Sequence, residues 1–155
     1  MFWQGIGKQN WYPGVEASKF WGPYARPYTS FMPKDFPGKV WSPTNPNAYF
    51  PLLRGYAAYP GGELSVANDK YLQDLAYLRL KNLTLGYNLP LALVQKWKVQ
   101  KLRLYVSGQN LLTFTKMKTK YIDPEQVNPQ STDTDHGGRE YPFFSQYSAG
   151  LDITF

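Results

Sequence analysis

The residues able to do chemistry are few and poorly placed for it. The 155-residue chain has no Cys and a single His, His136. A disulfide framework, a Cys-ligated metal and a thiol nucleophile are therefore excluded. One histidine gives neither a multi-histidine metal site nor much of a serine triad. Asp133-Thr-Asp135-His-Gly137 has the start of a calcium loop. It lacks a ligand at Gly137 and the closing Glu where Phe144 stands, so no metal is expected. Asp123 and Glu125 are two carboxylates flanking Pro124, a spacing that suits a turn better than the opposed pair of a glycosidase. No catalytic residue, metal or cofactor is expected, and the chain is not read as an enzyme.

What the chain does have is aromatic surface. There are 13 Tyr, 9 Phe and 5 Trp, 17% of all residues, against 18% charged residues and a net charge of +6. That composition excludes wholesale disorder. The basic residues are scattered rather than striped, and no nucleic-acid motif occurs, so no nucleic-acid partner is expected. Lys96, Lys98, Lys101 and Arg103 form a local basic cluster that reads as a solvated turn.

The elements that must position these aromatics change character near residue 75. Residues 1–75 hold 9 of the 13 Pro, 8 of the 13 Gly and 4 of the 5 Trp. Such punctuation breaks helices and ladders, so ordered loops pinned by aromatic packing are expected. After residue 75 the polarity alternates with period two. Leu102, Leu104, Val106, Leu112 and Phe114 share one parity, with Asn110 as an exception. Tyr147, Ala149, Leu151, Ile153 and Phe155 share another apolar parity. Leu83, Leu85, Tyr87 and Leu89 form a third, but Arg79 and Lys81 fall on the same parity. Either a bulge shifts the register there, or these cations leave the apolar zone. Pro90 ends this strand, and residues 90–101 have room for one short helical turn.

No apolar stretch approaches the roughly 18 residues of a membrane helix, and no signal-peptide core is visible. A β-barrel remains open, because its strands need only about 9–11 residues. Leu102 to Phe114 spans roughly 40 Å at about 3.4 Å per residue. Tilted by about 45°, that crosses the apolar band of an outer membrane. Alternation alone fits an antiparallel sandwich equally well.

The motifs separate the two. Tyr77-Leu-Arg-Leu-Lys-Asn-Leu-Thr-Leu-Gly-Tyr-Asn-Leu-Pro90 resembles a strand near the C-terminus of SusC/RagA-type TonB-dependent transporters. Leu102-Arg-Leu-Tyr-Val-Ser-Gly-Gln-Asn-Leu111, continued by Thr113-Phe-Thr-Lys116, is similar to the next strand. Asp123-Pro-Glu125 matches the acidic turn after it, although the glycine expected nearby is absent. Tyr141-Pro142 and Tyr147 to Phe155 resemble the closing strand, and Trp41-Ser-Pro-Thr-Asn-Pro-Asn-Ala-Tyr-Phe-Pro51 a preceding loop.

The resemblance implies an all-β fold: an antiparallel transmembrane β-barrel segment, the last strands of a 22-stranded barrel, with long extracellular loops. Residues 1–8 would be a strand end, 76–89, 102–115 and 143–155 strands, and 90–101 a periplasmic turn. Residues 9–75 and 116–142 would be extracellular loops. It implies an outer-membrane importer of glycans or oligopeptides, working with a SusD-like surface lipoprotein. Its other partners would be the remainder of the barrel and its plug, the TonB complex via the N-terminal part, and outer-membrane lipid. Trp11, Tyr12, Trp21, Tyr24 and Tyr28 are candidates for contact with substrate or lid, with packing of the loops against each other as the alternative role. Phe155 is the candidate barrel-assembly signal. Arg79 and Lys81, if unbulged, would meet lipopolysaccharide phosphates. The competing reading is a secreted carbohydrate-binding β-sandwich, which would need about seven strands.

Overall fold

The computed structural model describes residues 1–14, 18–28, 30, 32–128 and 141–155. His136, Asp133, Asp135 and Gly137 lie outside the described residues. In chain order the strands are β1 (Phe2–Ile6), β2 (Asn10–Trp11), β3 (Gln73–Asp74), β4 (Tyr77–Asn88), β5 (Lys101–Thr115) and β6 (Gln146–Thr154). Two four-residue helices, α1 (Ser18–Trp21) and α2 (Leu91–Val94), and several 3₁₀ turns complete the elements. Two compact units result: residues 1–6, 77–115 and 143–155, and residues 7–76 with 116–142.

The first unit is an antiparallel sheet in the order β1-β4-β5-β6. Residues directly opposite one another in an antiparallel pair share a face. Below the middle of β4, Leu83, Gly108 and Tyr147 form one tier, Leu85, Val106 and Ala149 the next, then Tyr87, Leu104 and Leu151. The opposite face carries Asn82–Gln109–Gln146, Thr84–Ser107–Ser148, Gly86–Tyr105–Gly150 and Asn88–Arg103–Asp152. On that polar face the Ser107 and Ser148 hydroxyls lie 2.6 Å apart. A β-carbon at residue 150 would overlap the Tyr105 ring, so glycine lets that ring lie flat on the sheet.

Above the middle the apolar parity of β4 reverses. Trp3, Leu80 and Leu112 now share a tier, as do Gly5, Leu78 and Phe114, and the Trp3 and Phe114 rings stack at 6.4 Å. The register of β4 shifts between Leu80 and Asn82, the signature of a bulge. Between the pairs Leu80–Leu112 and Asn82–Gln109, β4 has one residue, Lys81, and β5 two, Asn110 and Leu111, so the extra residue lies on β5 beside the left-handed Asn110. Arg79 lies in register with Gln4 and Thr113. Arg79 is buried, its Nε donates to Thr113 Oγ1 at 2.8 Å, and its guanidinium lies over the Tyr77 and Phe143 rings. The Lys81 ammonium lies 4.6 Å from the Phe143 ring centroid.

Asn110 has φ +51°, the left-handed backbone that Asn tolerates better than most residues. Its distortion ends the β5–β6 ladder at Gln109–Gln146, so β6 begins three residues later than the sequence suggests. Phe144 and Ser145 are tied to Asn110 by its side-chain amide and its carbonyl instead. The 90–101 connection contains α2 and a 3₁₀ turn at Gln95–Trp97.

This sheet has no second sheet against it among the described residues. The only other ladder there is the two-residue pair β2–β3. A seven-strand sandwich is not formed among the described residues. Leu85, Tyr87, Val106, Leu112, Phe114, Tyr147 and Leu151 are each more than half exposed. Among the described residues the large buried hydrophobic cluster belongs to the other unit.

Candidate functional site

The loop unit organises itself around rings. Pro and Gly deny it long ladders, so its stability must come from side chains. Phe20 and Trp21 of α1 meet edge to face at 4.8 Å, Trp21 meets Tyr71 at 5.1 Å, and Phe50 lies 5.1 Å from Phe36 and 5.0 Å from Tyr49. Full burial of each such ring is worth about 1.5–3 kcal/mol, plus a smaller edge-to-face term. Leu75, Met117, Ile122 and Val127 close the cluster.

Polar tips tie this cluster to loop backbone that no ladder satisfies. Trp21 Nε1 donates to Pro13 O at 2.7 Å, and Tyr24 Oη donates to Pro51 O. Tyr12 Oη donates to Leu64 O at 3.0 Å and accepts from Asn68 Nδ2 at 2.9 Å. The fully buried Gln73 side chain donates to Tyr71 O and Tyr49 Oη and accepts from Lys118 N. Burial pushes the Tyr71 phenol up to about 12 and the Tyr24 phenol higher still, because the interior disfavours a phenolate.

At the surface, Lys39 Nζ donates to Asp35 Oδ2 at 2.6 Å and to Tyr121 Oη at 2.9 Å. Tyr121 Oη donates to Asp35 Oδ1 at 2.8 Å. The Lys39 and Tyr121 bonds hold the Asp35 carboxyl below its ordinary value. This ring of bonds joins segments 86 positions apart in sequence. Asp123 accepts from Glu125 N at 3.0 Å and so caps the 3₁₀ turn Pro124–Gln126, a turn role rather than half of an acid pair.

The aromatic candidates therefore divide. Trp11, Trp21 and Tyr24 are core residues, and the latter two expose nothing. Their rings pack within this cluster, the alternative role that the sequence also offered for them. Tyr12 is half-buried, with its hydroxyl engaged as described. Tyr28 is exposed and packs beside Tyr56. Phe155 is exposed, one residue beyond β6 and on its apolar parity.

Three surface residues escaped the sequence reading: Arg26, Tyr56 and Tyr59. Tyr56 and Tyr59 pack against each other, and Arg26 lies over Tyr59. The Gly55 and Pro60-Gly-Gly62 punctuation around them marks a turn, but it does not say which rings the turn leaves in water.

No protein-family model matches the chain. A TonB-dependent receptor P3 from Formosa agariphila is 40% identical to it over 124 residues, 75% of this chain. A TonB-dependent receptor P26 from the same organism is 28% identical over 120 residues, 74% of this chain. The chain spans 11% of the first relative's length and 12% of the second's. Among solved structures, the RagAB peptide transporter is 30% identical with a TM-score of 0.48, covering 76% of this chain and 11% of that one. The RagAB peptide importer in its closed-closed state is 31% identical with a TM-score of 0.49 over the same shares.

Proposed function

The chain belongs to the TonB-dependent receptors, of the SusC/RagA type that its motifs resemble, and on that premise we propose that it forms wall and outer loops of an outer-membrane importer. The cargo would be glycans or oligopeptides, captured together with a SusD-like surface lipoprotein. The plug, the TonB complex and the remaining strands would be supplied by the rest of the transporter.

One observation carries this reading. The sheet keeps the apolar residues of its lower tiers, Leu85, Tyr87, Val106, Tyr147 and Leu151, more than half exposed, while the large buried cluster lies in the loop unit. Exposed apolar area on that scale marks an interaction surface. Its tiers alternate with polar ones, as in a strand with lipid on one side and a watery lumen on the other. Open edges at β1 and β6 would be completed by neighbouring strands, since lipid tolerates no unpaired ladder. The Ser107–Ser148 pair would then face the lumen.

Residues 9–75 and 116–142 would be extracellular loops, with Tyr28 and the hydroxyl of Tyr12 as remaining candidates for substrate or lid. Phe155, on the apolar parity of β6, would serve as the residue read by the assembly machinery. Fractionation of the whole transporter tests the proposal. It should sediment with outer membranes, require detergent for extraction and shift its gel mobility on heating. Release into aqueous buffer without detergent would refute it.

A further inference from the structure

The connection between β4 and β5 exposes cations and apolar side chains together. From Leu89 to Leu104 there is no Asp or Glu, while Lys96, Lys98, Lys101 and Arg103 all fall there. Arg103 turns onto the sheet, where a β-carbon at residue 86 would meet its Nε at 2.8 Å. The three lysines are exposed, and among the described residues none of them has a carboxylate partner. Leu91, Leu93 and Trp97 are 60%, 50% and 64% exposed.

The connection is nonetheless fixed to the strands. Leu89 N donates to Leu102 O at 2.9 Å, Val99 N to Val94 O at 3.3 Å and Gln100 N to Thr154 O at 2.8 Å. Val94 is fully buried, so the turn anchors itself with one apolar side chain and holds three larger ones outward. The apolar tiers of the sheet run up to it. Beyond Tyr87, Leu104 and Leu151 comes the pair Leu102–Ile153. Charge alone would suit a soluble anion. Cations interleaved with exposed leucines and a tryptophan, at the end of an apolar sheet face, fit a ligand that carries anion and hydrocarbon together.

We propose that this turn binds the headgroup of an anionic phospholipid in the inner leaflet of the outer membrane. Lys96, Lys98 and Lys101 would pair with the phosphodiester. Trp97 would lie at the level of the glycerol backbone, and Leu91 and Leu93 would meet the acyl chains below it. This rests on the importer reading, which makes residues 90–101 the periplasmic turn, and it names a lipid partner for that end of the wall. An acidic protein is the poorer fit, because the adjoining sheet tiers would already lie in lipid.

The test titrates the whole transporter, in a neutral detergent, with phosphatidylglycerol or phosphatidylcholine and counts bound lipid by native mass spectrometry. Phosphatidylglycerol should bind more tightly. The combined variant Lys96→Gln, Lys98→Asn, Lys101→Gln should weaken it by about tenfold or more. Asn suits the left-handed backbone of Lys98, φ +58°, and a retained heat-dependent gel shift shows that the variant barrel is folded. Lys8→Gln, Lys34→Gln and Lys120→Gln together remove the same charge from exposed positions of the loop unit and should leave the preference unchanged. Separately, a bimane on Leu93→Cys in a cysteine-free transporter should be quenched by brominated phosphatidylglycerol in vesicles. Absence of a preference for phosphatidylglycerol, equal losses in the two combined variants, or an unquenched bimane overturns the proposal. So does displacement of the lipid by an equal concentration of inorganic phosphate, which would assign the lysines to a soluble anion. Failure of the wild type to fractionate with outer membranes would refute the importer reading instead. The same titration would still decide the turn.

Discussion

Phe20, Trp21, Phe36 and Phe50 of the loop unit are buried, whereas Tyr87, Phe114 and Tyr147 of the sheet are more than half exposed. The same residue types serve opposite ends in the two units. The sheet satisfies its backbone through ladders and leaves its apolar side chains outward. The loop unit has few ladders and replaces them with side chains that bond to backbone, as Trp21 does to Pro13 and Tyr24 to Pro51. A strand with lipid on one face, as proposed for the sheet, must settle its backbone internally before its side chains matter. A segment built for water can reverse that priority.

Truncation of the loop core should have the largest effect. Phe50 touches the rings of Phe20, Trp21, Tyr24, Phe36, Tyr49 and Tyr71. Phe50→Ala should lower the opening free energy of this unit by about 3–5 kcal/mol, read as faster hydrogen exchange at the Ala58 and Leu64 amides. Unchanged protection would deny the rings their structural role.

Next comes the sheet. Val106→Arg should cost about 2–4 kcal/mol of barrel stability if that position lies near the bilayer midplane. Ser107→Arg, one residue along on the polar face, should cost much less. Denaturant titration of the refolded transporter checks the difference, and equal costs would erase the distinction between the faces.

Titration separates the units further. The folded Tyr71 phenol is raised from its ordinary 10.0 to about 12. Its contribution to the loop unit is complete below pH 10 and is lost as the pH climbs towards 12, because the unfolded chain gives up the proton first. Tyr71→Phe should flatten that alkaline loss in exchange-monitored stability.

The smallest effect belongs to Asp35, whose carboxyl is depressed from 3.8. Its contribution is present above that ordinary value and disappears as the pH falls through the depressed one. Asp35→Asn should remove this acid dependence and barely change neutral stability, since the group is at the surface.

The three strands were legible because period two survives in single residues such as Leu104, Val106 and Leu151. The fault at Arg79 and Lys81 was visible as broken parity. Its cause was not, because a bulge is a property of two strands in register and not of one sequence. Asn110 likewise stood out, and its left-handed backbone explains why the closing ladder stops short of it. The loop aromatics were harder. Nothing local distinguishes Trp21 from Tyr28. One is buried because Tyr71 and Phe50, distant in sequence, close over it, and the other is left in water.

The most direct test of the lipid-facing sheet is a scan of single cysteines in a cysteine-free transporter, each spin-labelled in bilayers. Labels at Leu83, Leu85, Leu104 and Val106 should be relaxed by oxygen. Those at Thr84, Tyr105 and Ser107 should be relaxed by a water-soluble nickel chelate. Oxygen access on the polar tiers would contradict the lipid-facing assignment.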